Sequence, residues 1–316
     1  GDHLYIHSFP TRRSSDLNLY DLSGDTMIVS FSKQSIRFFQ NVTGPVFDTG
    51  GAYFNVKASG AIGNGIADDW AAIQSAFDAA RLAGGGQVFF PAGSYSISTK
   101  IRYGSRTHVR GVGPSSILIN ATSRSLPGIM LEPFASGTTL FALSEMVLDQ
   151  RGDVFGNDGS SNCVSIQQVQ GANIYNNTFR NIMTMAVWTD APSFNTTRDV
   201  VIQNNTIENS LGGGISVFGC MFNWVIANNV IADCRDDAIA IQGNSTTKTG
   251  RDITIANNVI RDCRSRGTSG AGDATPRGIL VQAAENVSVI GNAIHRLVAG
   301  GIVIDDAPQH YKRPIN

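Results

Sequence analysis

Charge is scarce in this chain. Of 316 residues only 16% are charged, and the formal net charge is -1. That argues against a nucleic-acid partner, whose backbone demands a basic face. No apolar run approaches the length of a membrane span. Cysteine is scarce too, with 4 residues. What is plentiful is glycine, 34 residues, and low charge with high glycine suits a turn-rich all-β solenoid.

One short phrase recurs through the second half. Ile174-Tyr175-Asn176-Asn177-Thr178-Phe179 is followed by Ile202-Gln203-Asn204-Asn205-Thr206-Ile207 and Ile226-Ala227-Asn228-Asn229-Val230-Ile231. A fourth copy surrounds Asn258 and a weaker fifth Asn292, so the repeats measure 28, 24, 29 and 34 residues, a solenoid period. Nine residues after the second Asn comes a small residue and an alternating apolar run, as in Gly214-Ile215-Ser216-Val217 and Ala238-Ile239-Ala240-Ile241. In the fourth copy this run is delayed to Gly278-Ile279-Leu280-Val281, with the insertion falling in the polar stretch Arg264 to Pro276. Apolar residues spaced by two, in runs too short for helices, are strands. The pattern therefore predicts an all-β protein, a right-handed, single-stranded parallel β-helix, with handedness following from parallel crossovers. The recurring Asn is structural: it tolerates left-handed geometry at a tight turn, and stacked amides bond one another. Cys234 and Cys263, each five residues after its ladder Asn, stack on adjacent coils within disulfide reach. Free buried thiols are expected, because Cys163 and Cys220 have no evident partner.

Taken in order, the chain opens on His7-Ser8-Phe9-Pro10-Thr11-Arg12-Arg13-Ser14-Ser15-Asp16-Leu17, which looks like a translated sequencing adapter and points to assembled environmental DNA. Residues 1–17 are therefore set aside as an artefact that packs on nothing. Residues 18–53 form an unassigned lead-in in which Met27 to Phe31 reads as a strand. Residues 54–316 are the β-helix domain, expected to be truncated at its C-terminal end because no amphipathic cap follows the fifth copy.

That domain begins with Phe54-Asn55-Val56-Lys57, Gly60 to Gln74 and Gly84-Gly85-Gly86-Gln87-Val88-Phe89-Phe90-Pro91-Ala92-Gly93. These segments resemble the opening module of the pectate-lyase superfamily, which includes rhamnogalacturonase-like and polygalacturonase-like hydrolases, alginate epimerases, lyases and phage tailspikes. Read from the residues, Asp68 or Asp69 caps a short α-helix whose apolar side is Ile73, Ala76, Phe77 and Ala80. Such a helix covers the open end of the first coil, whose strand edges otherwise invite aggregation.

Chemistry belongs on the outward positions of the strands after the ladder, since the inward ones fill the core. If Ile215 and Val217 point in, the register exposes Trp188, Ser216, Ala240, Leu280 and Val303, with Asp190, Phe218, Gln242, Gln282 and Asp305 one step further. Trp188 is a candidate platform for a sugar ring. Asp190, Gln242, Gln282 and Asp305 complete a polar strip for substrate. Cys234-Arg235-Asp236-Asp237-Ala238-Ile239-Ala240-Ile241 resembles the Gly-Asp-Asp-Cys-Ile-Ala-Ile stretch of polygalacturonases, inverting hydrolases that use an acid and a base. The resemblance implies Asp236 as the acid and Asp237 as the base. The family's third Asp falls on Gly213 and its His on Arg277. Arg277 suggests a uronate lyase instead, with Arg as base and calcium neutralising the substrate. With Asp237 one coil away, however, a salt bridge that keeps the Arg protonated is the simpler outcome. Val187-Trp188-Thr189-Asp190 stands where alginate epimerases carry a Tyr- and His-containing motif, without those residues.

The resemblance implies an uronic-acid-containing polysaccharide as substrate, cleaved by hydrolysis or elimination. No cofactor is needed unless elimination uses calcium. The location is extracellular or at the cell surface, and the protein is a monomer or a homotrimer. The other readings are a glycan-recognition protein, as on a phage virion, and a structural β-helix without activity.

Overall fold

The computed structural model describes residues 17–20, 27–31, 36–38, 52–121, 130–157, 161–191, 197–243, 250–264, 276–298 and 300–305. The chain divides into two compact units, Gly1–Val46 and Phe47–Asn316. In the first, strands Leu17–Tyr20, Met27–Phe31 and Ile36–Phe38 pair antiparallel in sequence order. Met27–Phe31 is the strand expected there. The adapter-like residues lie outside the described residues apart from Leu17, which begins this sheet.

The second unit is a parallel β-helix of three sheets, in the right-handed sense that parallel crossovers favour. Sheet 1 has 9 strands, from Ala52–Asn55 to Ala284–Ile290; sheet 2 has 9, from Asn64–Asp68 to Ala293–His295; sheet 3 has 8, from Ile101–Tyr103 to Ile302–Asp305. Each coil contributes one strand to each sheet except the first, where the helix Trp70–Leu82 takes the place of a sheet 3 strand, so alternate side chains face a common interior. There Ile174, Ile202, Ile226 and Ile255 line sheet 1 and Val187, Ile215, Ile239 and Ile279 line sheet 3, all at 1% exposure or less. The short strand Leu131–Pro133 belongs to sheet 3. The insertion expected after Arg264 lies, over 265–275, outside the described residues.

The two Asn of each repeat have different jobs. The first, at 176, 204, 228 and 257, takes left-handed geometry with φ of 55–57°. The second is buried and forms the ladder. Nδ2 of Asn177 donates to Oδ1 of Asn205 at 3.0 Å, and the links onward to Asn229, Asn258 and Asn292 measure 3.0, 3.0 and 2.9 Å. Each acceptor oxygen also takes the backbone N–H of the preceding Asn, at 2.9–3.0 Å. The ladder residue was expected to supply both properties; separating them is necessary, because a buried amide aimed along the stack cannot also form the exposed corner.

Helix α1, Trp70–Leu82, buries Ile73, Ala76, Phe77 and Ala80, the side expected. It ends in a Schellman turn, with Gly84 N–H on Arg81 O and Gly85 N–H on Ala80 O at 3.1 and 2.9 Å, and Gly84 at φ +80°. Asp69 is the residue before the helix, yet its carboxylate bonds Ile62 and Gly63 N–H at 2.6 and 3.0 Å instead of the helix. Asp68 Oδ1 accepts Trp70 N–H at 3.1 Å. All 4 cysteines are free and buried.

Candidate active site on sheet 3

The register of sheet 3 follows the repeat. Trp188 pairs with Ser216, Ser216 with Ala240, Ala240 with Leu280 and Leu280 with Val303. Asp190, Phe218, Gln242, Gln282 and Asp305 form the next row. Outward direction does not mean exposure, however. Ser216, Ala240 and Leu280 are 2%, 3% and 0% exposed, although Ala240 and Leu280 stand outside the interior cluster. Trp188 and Val303 are half-buried and Asp190 is exposed. Gln242 Nε2 donates to Gln282 Oε1 at 3.2 Å, continuing the stacked-amide theme on the outside. The side chain of Asp305 lies outside the described residues.

The charged candidates come together one step earlier on the same face. Asp236 and Asp237 form the turn before strand Ile239–Gln242, and Arg277 precedes Ile279–Gln282 on the next coil. Backbone bonds keep them in step: Gly214 N–H on Asp237 O at 3.2 Å, and Ala238 N–H on Arg277 O at 3.0 Å. Arg277 Nε donates to Asp237 Oδ1 at 2.9 Å and Nη2 to Oδ2 at 3.0 Å, while Arg277 N–H also donates to Oδ1 at 2.9 Å. This bidentate pair is the salt bridge anticipated from coil spacing. Burial pushes the Asp237 carboxyl above its ordinary range, the Arg277 hydrogen bonds pull it down and the Asp236 charge adds to the rise; the net direction is up. Asp236 is half-buried, and its Oδ1 accepts Asp237 N–H at 2.9 Å.

A shallow, open depression adjoins these residues. Asp236, Asp237 and Gln242 give it polar walls, and Phe218, Ala240, Ser216 and Met185 complete it. Thus Asp236, Asp237 and Gln242 share one depression among the described residues, whereas Trp188, Asp190, Arg277 and Gln282 do not line it. Phe218, not Trp188, is its aromatic. Met185 went unnoticed in the sequence, though it had a signal. It lies eight residues after its ladder Asn, the offset shared by Gly213 and Asp237. Its Sδ sits 3.0 Å from Ser216 Oγ.

Gly213 explains the missing acid. A Cβ there would lie 2.6 Å from Asp237 O and 2.9 Å from Met185 Sδ, so this backbone has no room for the Asp that the polygalacturonase pattern places at 213. Among the described residues no group of three or more His, Cys, Asp or Glu is placed to hold a metal, and both Asp237 oxygens accept from Arg277.

Residues 53–269 match the family described as Rhamnogalacturonase A/epimerase, pectate lyase-like. Mannuronan C5-epimerase AlgE2 of Azotobacter vinelandii is 27% identical over 237 residues, covering 64% of this chain and 24% of that protein. The N-terminal fragment of bacteriophage Phi29 gene product 12 superposes with TM-score 0.63 at 18% identity, over 79% of this chain and 43% of the fragment. An iota-carrageenase from A. fortis superposes with TM-score 0.56 at 17% identity, over 76% and 56%. Identities this low speak for the fold alone. The chain spans about a quarter or less of the length of the curated epimerases it matches.

Proposed function

Because the chain belongs to the rhamnogalacturonase A/epimerase, pectate-lyase-like family, we propose that it is a carbohydrate-active protein that seats a polysaccharide on the outer face of sheet 3 and cleaves it there. The observation that carries this reading is the convergence of Asp236, Asp237 and Gln242 on one depression beside an aromatic ring. Asp236 is the proton-transfer residue. Asp237, both of whose oxygens accept from Arg277, acts as a positioning residue that also fixes the Asp236 turn through its N–H. Arg277 is the other half of that pair; a guanidinium held by a carboxylate is no base. The polymer meets Trp188 and Asp190 toward one end of the face and Gln282 and Asp305 toward the other. The resemblance supports a uronic-acid-containing polymer and an extracellular or surface location. No helix among the described residues is long and apolar enough to cross a membrane.

A second reading, glycan recognition without cleavage, is favoured by one observation. Hydrolysis uses two carboxyl groups in acid and base roles, and here one of them is committed to Arg277. Assays on pectin, polygalacturonate, alginate and neutral polymers, with and without calcium, separate the two, read by new reducing ends and by absorbance of unsaturated uronates. Cleavage should fall about 100-fold or more in Asp236→Asn, with binding retained. Unchanged cleavage in both Asp236→Asn and Asp237→Asn overturns the assignment, while binding without turnover on every polymer supports recognition.

A further inference from the structure

The depression has a charge as well as a shape. Among the described residues its lining contains two carboxylates, one amide and no Lys, Arg or His. Arg277 on the neighbouring coil presents two guanidinium nitrogens to Asp237 at 2.9 and 3.0 Å, and these two charges offset one another. Asp236 remains, so the trio keeps one net negative charge facing the seat. That charge is felt locally, since it raises the Asp237 carboxyl further above its usual range. A carboxylate or sulfate brought to within about 5 Å of Asp236 at a partly solvated surface would lose affinity by about tenfold to a hundredfold. No other described residue of the lining repays that. Phe218 offers an apolar ring suited to the C–H face of a sugar, and Gln242 and Asp236 offer partners for hydroxyl groups.

We propose that the sugar unit seated in this depression is uncharged, bearing hydroxyl, methyl or N-acyl groups instead of carboxylate or sulfate, so that any acidic units of the same polymer lie on other coils. The proposal rests on the reading that the depression is the sugar seat.

The test compares oligosaccharides that differ in charge with only a methyl group added: oligogalacturonates and oligomannuronates against their methyl esters, binding to the full chain by titration calorimetry at low and high salt. The ester of at least one pair should bind tenfold or more tighter than its acid at low salt. Added salt should strengthen binding of the acid, because it screens repulsion, and Asp236→Asn should narrow the gap between acid and ester. An acid that binds as tightly as its ester or tighter, with affinity falling as salt is added, overturns the proposal and leaves the seat intact. Ester binding that survives Ser216→Trp, which fills the depression, removes the seat itself and the proposal with it, as does an absence of binding by every member of the panel.

Discussion

Asp237 engages the Arg277 guanidinium through both carboxylate oxygens, and the pair is mostly hidden from solvent, with side-chain exposures of 6% and 22%. Removing one partner of such a pair strands the other charge. Arg277→Ala should therefore cost about 3 kcal/mol in urea unfolding at neutral pH, and the loss should shrink toward pH 4 as the stranded carboxyl takes up a proton. A second buried group sets a pH dependence of its own on sheet 1. His108 is 9% exposed, and its Nε2 lies 2.8 Å from Ser144 Oγ. Burial, helped by Arg110 and opposed by Glu145, lowers its pKa to about 4 from 6.5. The unfolded chain thus binds a proton that the folded one refuses. The associated stability, about 3 kcal/mol at most, is present above pH 6.5 and is lost as pH falls toward 4. Unfolding midpoints measured across that window should drop in the native protein, and His108→Gln should flatten the profile.

At the scale of the repeat, two adjacent asparagines invite opposite substitutions. Asn228 occupies a left-handed corner with φ 57°, so Asn228→Gly should be tolerated within about 1 kcal/mol. Asn229 is fully buried. Its loss would leave Asn205 N–H and Nδ2 without their acceptor and Ile202 O without its donor. Asn229→Ala should therefore cost about 3 kcal/mol or more in the same unfolding experiment. The sequence made the pair conspicuous, because both members recur at a fixed place. It could not distribute the two roles, since left-handed preference and amide stacking are properties of one residue type. The sheet 3 row from Trp188 to Val303 was equally legible, because strand alternation fixes direction. The burial of Ser216, Ala240 and Leu280 was not, because burial depends on what the neighbouring coils lay over an outward face, as Met185 does at Ser216.

Over the whole molecule, α1 closes the first coil by inserting Phe77 beside Phe90, with ring centroids 6.5 Å apart. Phe77→Ala should cost about 3–5 kcal/mol, and loosening of this cover should appear in gel filtration as slow association, because exposed strand edges pair with one another. The helix and its buried side could be read from sequence through 3.6-residue spacing and the glycines that stop it. The use of Asp69 to hold the 62–63 turn could not, since it depends on a fold-back that spacing does not encode. The Asn column carries one last implication. In all four links the nitrogen belongs to the earlier coil and the oxygen to the later one, and at its start Asn177 Oδ1 accepts Met146 N–H. The amide dipoles thus align head to tail, as peptide dipoles do in an α-helix. The protein has a built-in electrical polarity along its axis, and a coil laid against the stack in the reverse sense would set nitrogen against nitrogen.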